Sequence, residues 1–111
     1  MLIQQNNLRL YRKQSQLTQS DIAFLMDLSD YSNISHWELG YKKPNIDILI
    51  IYHLLFDIPI ESLFDRQKQE LSESISKRIE GLLGMLKSTP EDDKVTNRIA
   101  FLTSALNRLT A

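Results

Sequence analysis

Apolar positions along the chain recur at intervals of three and four, the spacing of helices with one buried face. Residues 4–15 are expected to form a first helix, with Leu8 and Tyr11 on one side. The run Thr18-Gln19-Ser20-Asp21 starts a second, placing a hydroxyl at the N-cap and a carboxylate three residues on, the pattern of a capping box. Ile22, Ala23, Leu25 and Met26 continue it until about Asp27. The segment LSDYSN reads as a turn, with Asp30 or Ser32 available to cap the next helix. Residues 33–39 then make a short helix, and Gly40 stands where a left-handed residue would end it. Pro44-Asn45 opens a fourth helix, rich in Ile and Leu, to about Phe56; Asp57-Ile58-Pro59 breaks it, and residues 60–64 add one or two turns.

The pattern changes after Phe64. Residues 65–87 are charged, with Leu71, Ile75, Ile79, Leu82 and Leu86 spaced as one stripe. Ser88-Thr89-Pro90-Glu91-Asp92 reads as a helix start with Thr89 at the N-cap and Pro90 at the first helical position. Val95, Ile99, Leu102, Leu106 and Leu109 form a second stripe, flanked by Ala100, Phe101 and Ala105. The two stripes imply an antiparallel hairpin. Gly81 and Gly84 each weaken a helix interior by about 1 kcal/mol, which would be rational if something packs closely there or the helix ends early. The chain is thus expected to be all-α, with residues 1–64 and 65–111 as its two parts.

Composition narrows the chemistry. The 111 residues include no cysteine, which excludes disulfides, Cys-based zinc sites and thiol nucleophiles. The longest apolar run, residues 46–60, is interrupted by Asp47, His53 and Asp57 and is too short for a transmembrane span. The N-terminus lacks the order of a signal peptide, so a cytoplasmic protein is expected. Only two histidines occur, His36 and His53, neither in a metal-ligand spacing; no phosphate loop and no nucleophile elbow is present. Neither catalysis, a metal nor another cofactor is expected. His53, on an apolar helix, reads as a boundary histidine, and Glu91-Asp92-Asp93 as the acidic first turn of a helix.

A capped helix, a tight turn and a short polar helix closed by Gly is the layout of a helix-turn-helix. Leu17-Thr18-Gln19, Ile22-Ala23, Ile34-Ser35, Trp37-Glu38, Gly40, Lys42-Lys43 and Pro44 together resemble the XRE family, the Cro and phage-repressor type of DNA-binding domain. The resemblance covers about residues 8–64 and implies a five-helix, lambda-repressor-like domain whose third helix enters the major groove of double-stranded DNA. This chain departs from the pattern in carrying Asp27 where a Gly is often found in the turn.

On that reading, Asn33 and His36 are the first candidates for base contact, with Ser32, Tyr31 and Ser35 beside them, because such side chains donate or accept at base edges. Taken alone, Ser32 and Asn33 would be ordinary capping residues and His36 a solvated one. Gln19 and Lys42 and Lys43 are candidates for phosphate, with Arg9 and Lys13 assisting from the first helix; the two lysines alone would be an ordinary solvated turn. The resemblance further implies an ion pair between Arg12 and Glu38, a structural role, and places Trp37 in the core. Residues 1–64 carry five basic and seven acidic side chains, a net −2. That balance points to weak nonspecific binding and to two copies acting together. The C-terminal hairpin accordingly has three readings: completing one core, forming a homodimer, or docking a protein partner, as in antitoxins that resemble this family.

Overall fold

The structure is a computed structural model, and it describes residues 6–111. Its regular structure is helical throughout: α1 (Leu8–Ser15), α2 (Gln19–Leu25), α3 (Ser32–Leu39), α4 (Ile46–Phe56), a 3-10 turn (Ile60–Phe64), α5 (Asp65–Lys87) and α6 (Asp93–Thr110). The chain divides into two compact units, Met1–Lys68 and Gln69–Ala111.

In the first unit, α1 begins at Leu8 rather than at residue 4; Gln4 and Gln5 lie outside the described residues. Asn6 and Asn7 are not helical, because they are engaged elsewhere. Asn6 Oδ1 accepts the Leu8 N–H at 3.0 Å, while the Asn7 N–H donates across the unit to the Leu63 carbonyl at 2.8 Å. At the other end of α1, Gln16 turns left-handed at φ 65°. Asn45 caps α4 by accepting the Ile48 N–H, and left-handed Asp57 closes it. Just beyond, the half-buried His53 uses its Nδ1 on the Ile58 carbonyl.

These ends let one core form. Leu8, Ile22, Ala23, Ile34, Trp37, Tyr52 and Leu63 are buried together, and Phe56 meets both Tyr11 and Tyr52 with ring centroids 6.4 and 5.6 Å apart. Each fully buried Leu or Ile side chain contributes about 1.5–3 kcal/mol relative to exposure. Burial also raises the Tyr52 hydroxyl pKa well above that of a free phenol, reinforced by the negative charge of Glu38.

The second unit contains most of α5 and all of α6, which fit a hairpin. Its buried α5 face differs from the expected stripe. Ser76, Ile79, Leu83 and Leu86 are buried, whereas Leu71, Ile75 and Leu82 are exposed. Spacings of 3, 4 and 3 replace 4, 4, 3 and 4, and the face rotates onto small Ser76, whose hydroxyl is satisfied by the Ser72 carbonyl at 2.7 Å. The start of α6 also differs. Thr89 is not its N-cap: the Thr89 N–H donates to the Leu86 carbonyl and its hydroxyl to the Met85 carbonyl, finishing α5 instead. Asp92 is the cap, accepting the Val95 N–H at 2.8 Å, and the helix begins at Asp93. Gly81 and Gly84 neither end nor crowd α5: a methyl group added at either would meet nothing within 4 Å.

Candidate nucleic-acid interface

The candidate interface is shaped by the ends of its helices. Thr18 and Asp21 close a reciprocal capping box, the Thr18 hydroxyl accepting the Asp21 N–H at 3.0 Å and the Asp21 carboxylate accepting the Thr18 N–H at 2.9 Å. α2 stops where Asp27 enters the left-handed region at φ 57°, its N–H donating to the Phe24 carbonyl and that of Leu28 to the Ala23 carbonyl. This paired closure reverses the chain at the point where a glycine would do so without steric cost. Asp30 Oδ1 then accepts the Ser32 N–H at 2.8 Å, which holds the Asp30 carboxyl below its ordinary pKa. α3 therefore begins at Ser32, one residue before the expected start. It ends at Gly40, left-handed at φ 82°.

α3 is fixed from behind. Ile34 and Trp37 are buried in the core. Glu38 adds a charged anchor: its Oε2 accepts from Arg12 Nε at 2.5 Å and its Oε1 from Arg12 Nη2 at 3.0 Å, a two-pronged pair linking α3 to α1. The two side chains are 9% and 2% exposed, so the pair is shielded. Arg12 Nη1 also donates to the Leu17 carbonyl at 3.1 Å. The hydrogen bond to Glu38 is the main reason the Arg12 pKa is raised, working against desolvation.

With α3 held in this way, Tyr31, Ser32 and Asn33 are exposed at its N-terminal end. Ser35 and His36 are half-buried; the His36 ring stands edge-on to Tyr41, with its Nδ1 buried and unbonded within the protein. Arg9 and Lys13 are exposed on α1, and Lys42 and Lys43 on the turn after α3. An open groove of about 430 Å³ brings Lys13, Gln19 and Tyr31 together beside Arg12. Arg9, Lys42 and Lys43 are not among its lining residues.

Residues 8–63 match the family model described as Helix-turn-helix. The chain belongs to the XRE-type helix-turn-helix family. No curated protein and no solved structure matches it. As a member of the XRE-type family it is a DNA-binding regulator, and double-stranded DNA is its partner. Among the described residues, no helix is long and apolar enough to cross a membrane.

Two features of this XRE-type domain were not visible in its sequence. Gln19 Nε2 donates to Glu38 Oε1 at 3.1 Å, so this side chain also belongs to the anchor of α3. Gln16 and Ser20 line the groove, and no motif marks them; they are placed there by the left-handed Gln16 and the start of α2.

Proposed function

We propose that this protein is a sequence-specific transcriptional repressor that binds double-stranded DNA as a dimer in the cytoplasm, with α3 in the major groove. The carrying observation is that the N-terminal end of α3 exposes Tyr31, Ser32 and Asn33 while Ile34, Trp37 and the Arg12–Glu38 pair hold its other side. Small and uncharged side chains suit close approach to base edges. Asn33 and His36 are the principal base contacts in this reading, His36 through Nε2, with Ser32, Tyr31 and Ser35 beside them. Gln19, Lys42, Lys43, Arg9 and Lys13 hold phosphates. The hairpin of α5 and α6 supplies dimerisation.

Selection and sequencing from a random duplex pool, at fixed near-physiological salt, tests this reading. An enriched inverted repeat with half-sites about 34 Å apart supports it. A single half-site would refute the dimer, and no enrichment by folded protein would refute sequence-specific binding. The assignments of individual residues are tested separately. Asn33→Ala is expected to relax preference at particular base pairs by about 1–3 kcal/mol. Lys42→Ala is expected to weaken all sequences alike and reduce the salt slope by about one.

A second reading has one observation in its favour. Leu71, Ile75, Met85 and Phe101 are exposed on α5 and α6, an apolar display that suits a protein partner, as in an antitoxin. Leu102→Ser with Leu106→Ser should give folded monomers if the hairpin dimerises, and unfolded protein if it completes a core.

A further inference from the structure

The chain's two histidines are placed so as to hold their protons on different ring nitrogens. A neutral imidazole carries one proton, and the nitrogen without it can only accept a hydrogen bond. His53 directs Nδ1 at the Ile58 carbonyl, which can only accept, so Nδ1 holds the proton and Nε2 is left as the acceptor. His36 differs. Its Nδ1 is buried and, among the described residues, meets no hydrogen-bond partner. A proton there would be an orphaned buried N–H, which folded proteins avoid more strictly than an under-satisfied acceptor. The proton therefore belongs on Nε2, and the group that His36 can offer a ligand is a donor.

The ring is also held in place. Gly40, left-handed at φ 82°, turns the chain back so that the N–H groups of Tyr41 and Lys42 both donate to the His36 carbonyl, at 2.9 and 3.3 Å. That turn sets the Tyr41 ring against the imidazole, with centroids 6.4 Å apart and planes at 62°, an attractive edge-on aromatic contact. Tyr41 itself is 58% exposed and is not part of the core cluster. On the helix, His36 lies one turn beyond Ser32 and Asn33, on the same face.

Resting on the reading of α3 as the major-groove helix, we infer that His36 reads its base pair as a hydrogen-bond donor through Nε2–H, with Tyr41 positioning the ring. A donor selects an acceptor: the imidazole-ring nitrogen of a purine, or the major-groove carbonyl of guanine or thymine. It rejects a base that brings the amino group of cytosine or adenine to the same place, because two donors then face each other. Tyr41 acts through His36 and touches no base.

Two measurements on the full chain test this, and only the second depends on DNA. Long-range proton–nitrogen NMR of the free protein at about pH 9, where imidazole is neutral, reads which ring nitrogen carries the proton. Loss of one ring's signals in His36→Gln assigns the two. His36 is expected to be protonated at Nε2 and His53 at Nδ1; a His36 ring protonated at Nδ1 overturns the inference. In duplexes enriched from the random pool, the base pair that loses its preference in His36→Ala is the one this side chain reads. There, acceptors are deleted one at a time: 7-deazapurine for the purine ring nitrogen, 2-aminopurine for the guanine carbonyl, 5-methyl-2-pyrimidinone for the thymine carbonyl. One deletion is expected to weaken wild type about fivefold, the scale of a single neutral hydrogen bond, and to leave His36→Ala unaffected. Deleting an amino group instead, with purine for adenine or 2-pyrimidinone for cytosine, is expected to change nothing. Tyr41→Ala is expected to blunt the preference at that base pair alone, and Tyr41→Phe to keep it; uniform weakening across the site would overturn the positioning role. A loss confined to the amino deletions, or no base pair altered by His36→Ala, overturns the inference and leaves sequence-specific binding standing. No enrichment by folded protein refutes the α3 reading and this inference with it.

Discussion

Glu38→Gln removes one charge from a site where another cannot leave. The Arg12 side chain is 9% exposed, and its guanidinium directs two of its hydrogen bonds at the Glu38 carboxylate. Its raised pKa means that it stays protonated at any working pH. The contribution from the arginine side is therefore fully present below the unfolded value and would be lost only as the pH rose through the higher folded one. In the variant the buried cation keeps its bond to the Leu17 carbonyl and a neutral amide oxygen. An NH2 donor, however, replaces the second carboxylate oxygen and faces an Arg12 N–H, and the Gln19 amide loses an anionic acceptor. Breaking one side of a shielded pair costs about 3–5 kcal/mol. A small domain has about 5–15 kcal/mol of stability in total, so the loss is a large fraction of it. Urea unfolding followed by Trp37 fluorescence is the assay, since this is the chain's single tryptophan and it lies in the core on the same helix. Glu38→Gln is expected to lower the unfolding midpoint without changing the slope. Arg12→Met with Glu38→Leu removes both charges and is expected to recover most of the loss. A shift below about 1 kcal/mol for the single variant, or a double variant no better than the single, would refute the assignment of a shielded, coupled pair.

Three further outcomes are expected from the local geometry. Gly81→Ala and Gly84→Ala should each stabilise the chain by about 1 kcal/mol, since the added methyl group meets nothing and the helix loses a flexible residue; thermal melting checks this, and a fall in melting temperature would contradict it. Asp27→Gly should stabilise the α2–α3 turn by up to about 1–2 kcal/mol by relieving the left-handed backbone, measured by the urea midpoint. The Asp30 carboxyl, lowered by the Ser32 N–H, supports the start of α3 above the unfolded carboxylate range. That support should fade as the pH falls through its lowered pKa, seen as paired chemical-shift changes at Asp30 and the Ser32 amide in an NMR titration.

Much of the first unit was legible in the sequence because its signals are local. Thr18 and Asp21 cap α2 across three residues, Asn45 caps α4 across a similar distance, and Gly40 closes α3 through its own backbone freedom. The inner side of α3 was read only through the family resemblance, which places Trp37 in the core, where the structure buries it together with Ile34. Arg12 and Glu38, 26 residues apart, were paired only through the family resemblance.

Tertiary structure decided the rest. α5 offers overlapping apolar stripes that differ by a rotation of the helix, and packing selected Leu83 over Leu82. Both Thr89 and Asp92 could cap a helix; the outcome turned on whether Thr89 finished α5 or began α6. Gln19 carries no local sign that it joins Glu38, and α4, apolar apart from Asp47 and His53, carries no clear periodicity to say which side faces inward. The sequence by itself determined the helices and most of their ends, because caps and breakers act within a turn of the chain. Which faces are buried, and which side chains meet across the core, was decided by the tertiary structure, because those choices depend on surfaces brought together from distant parts of the chain.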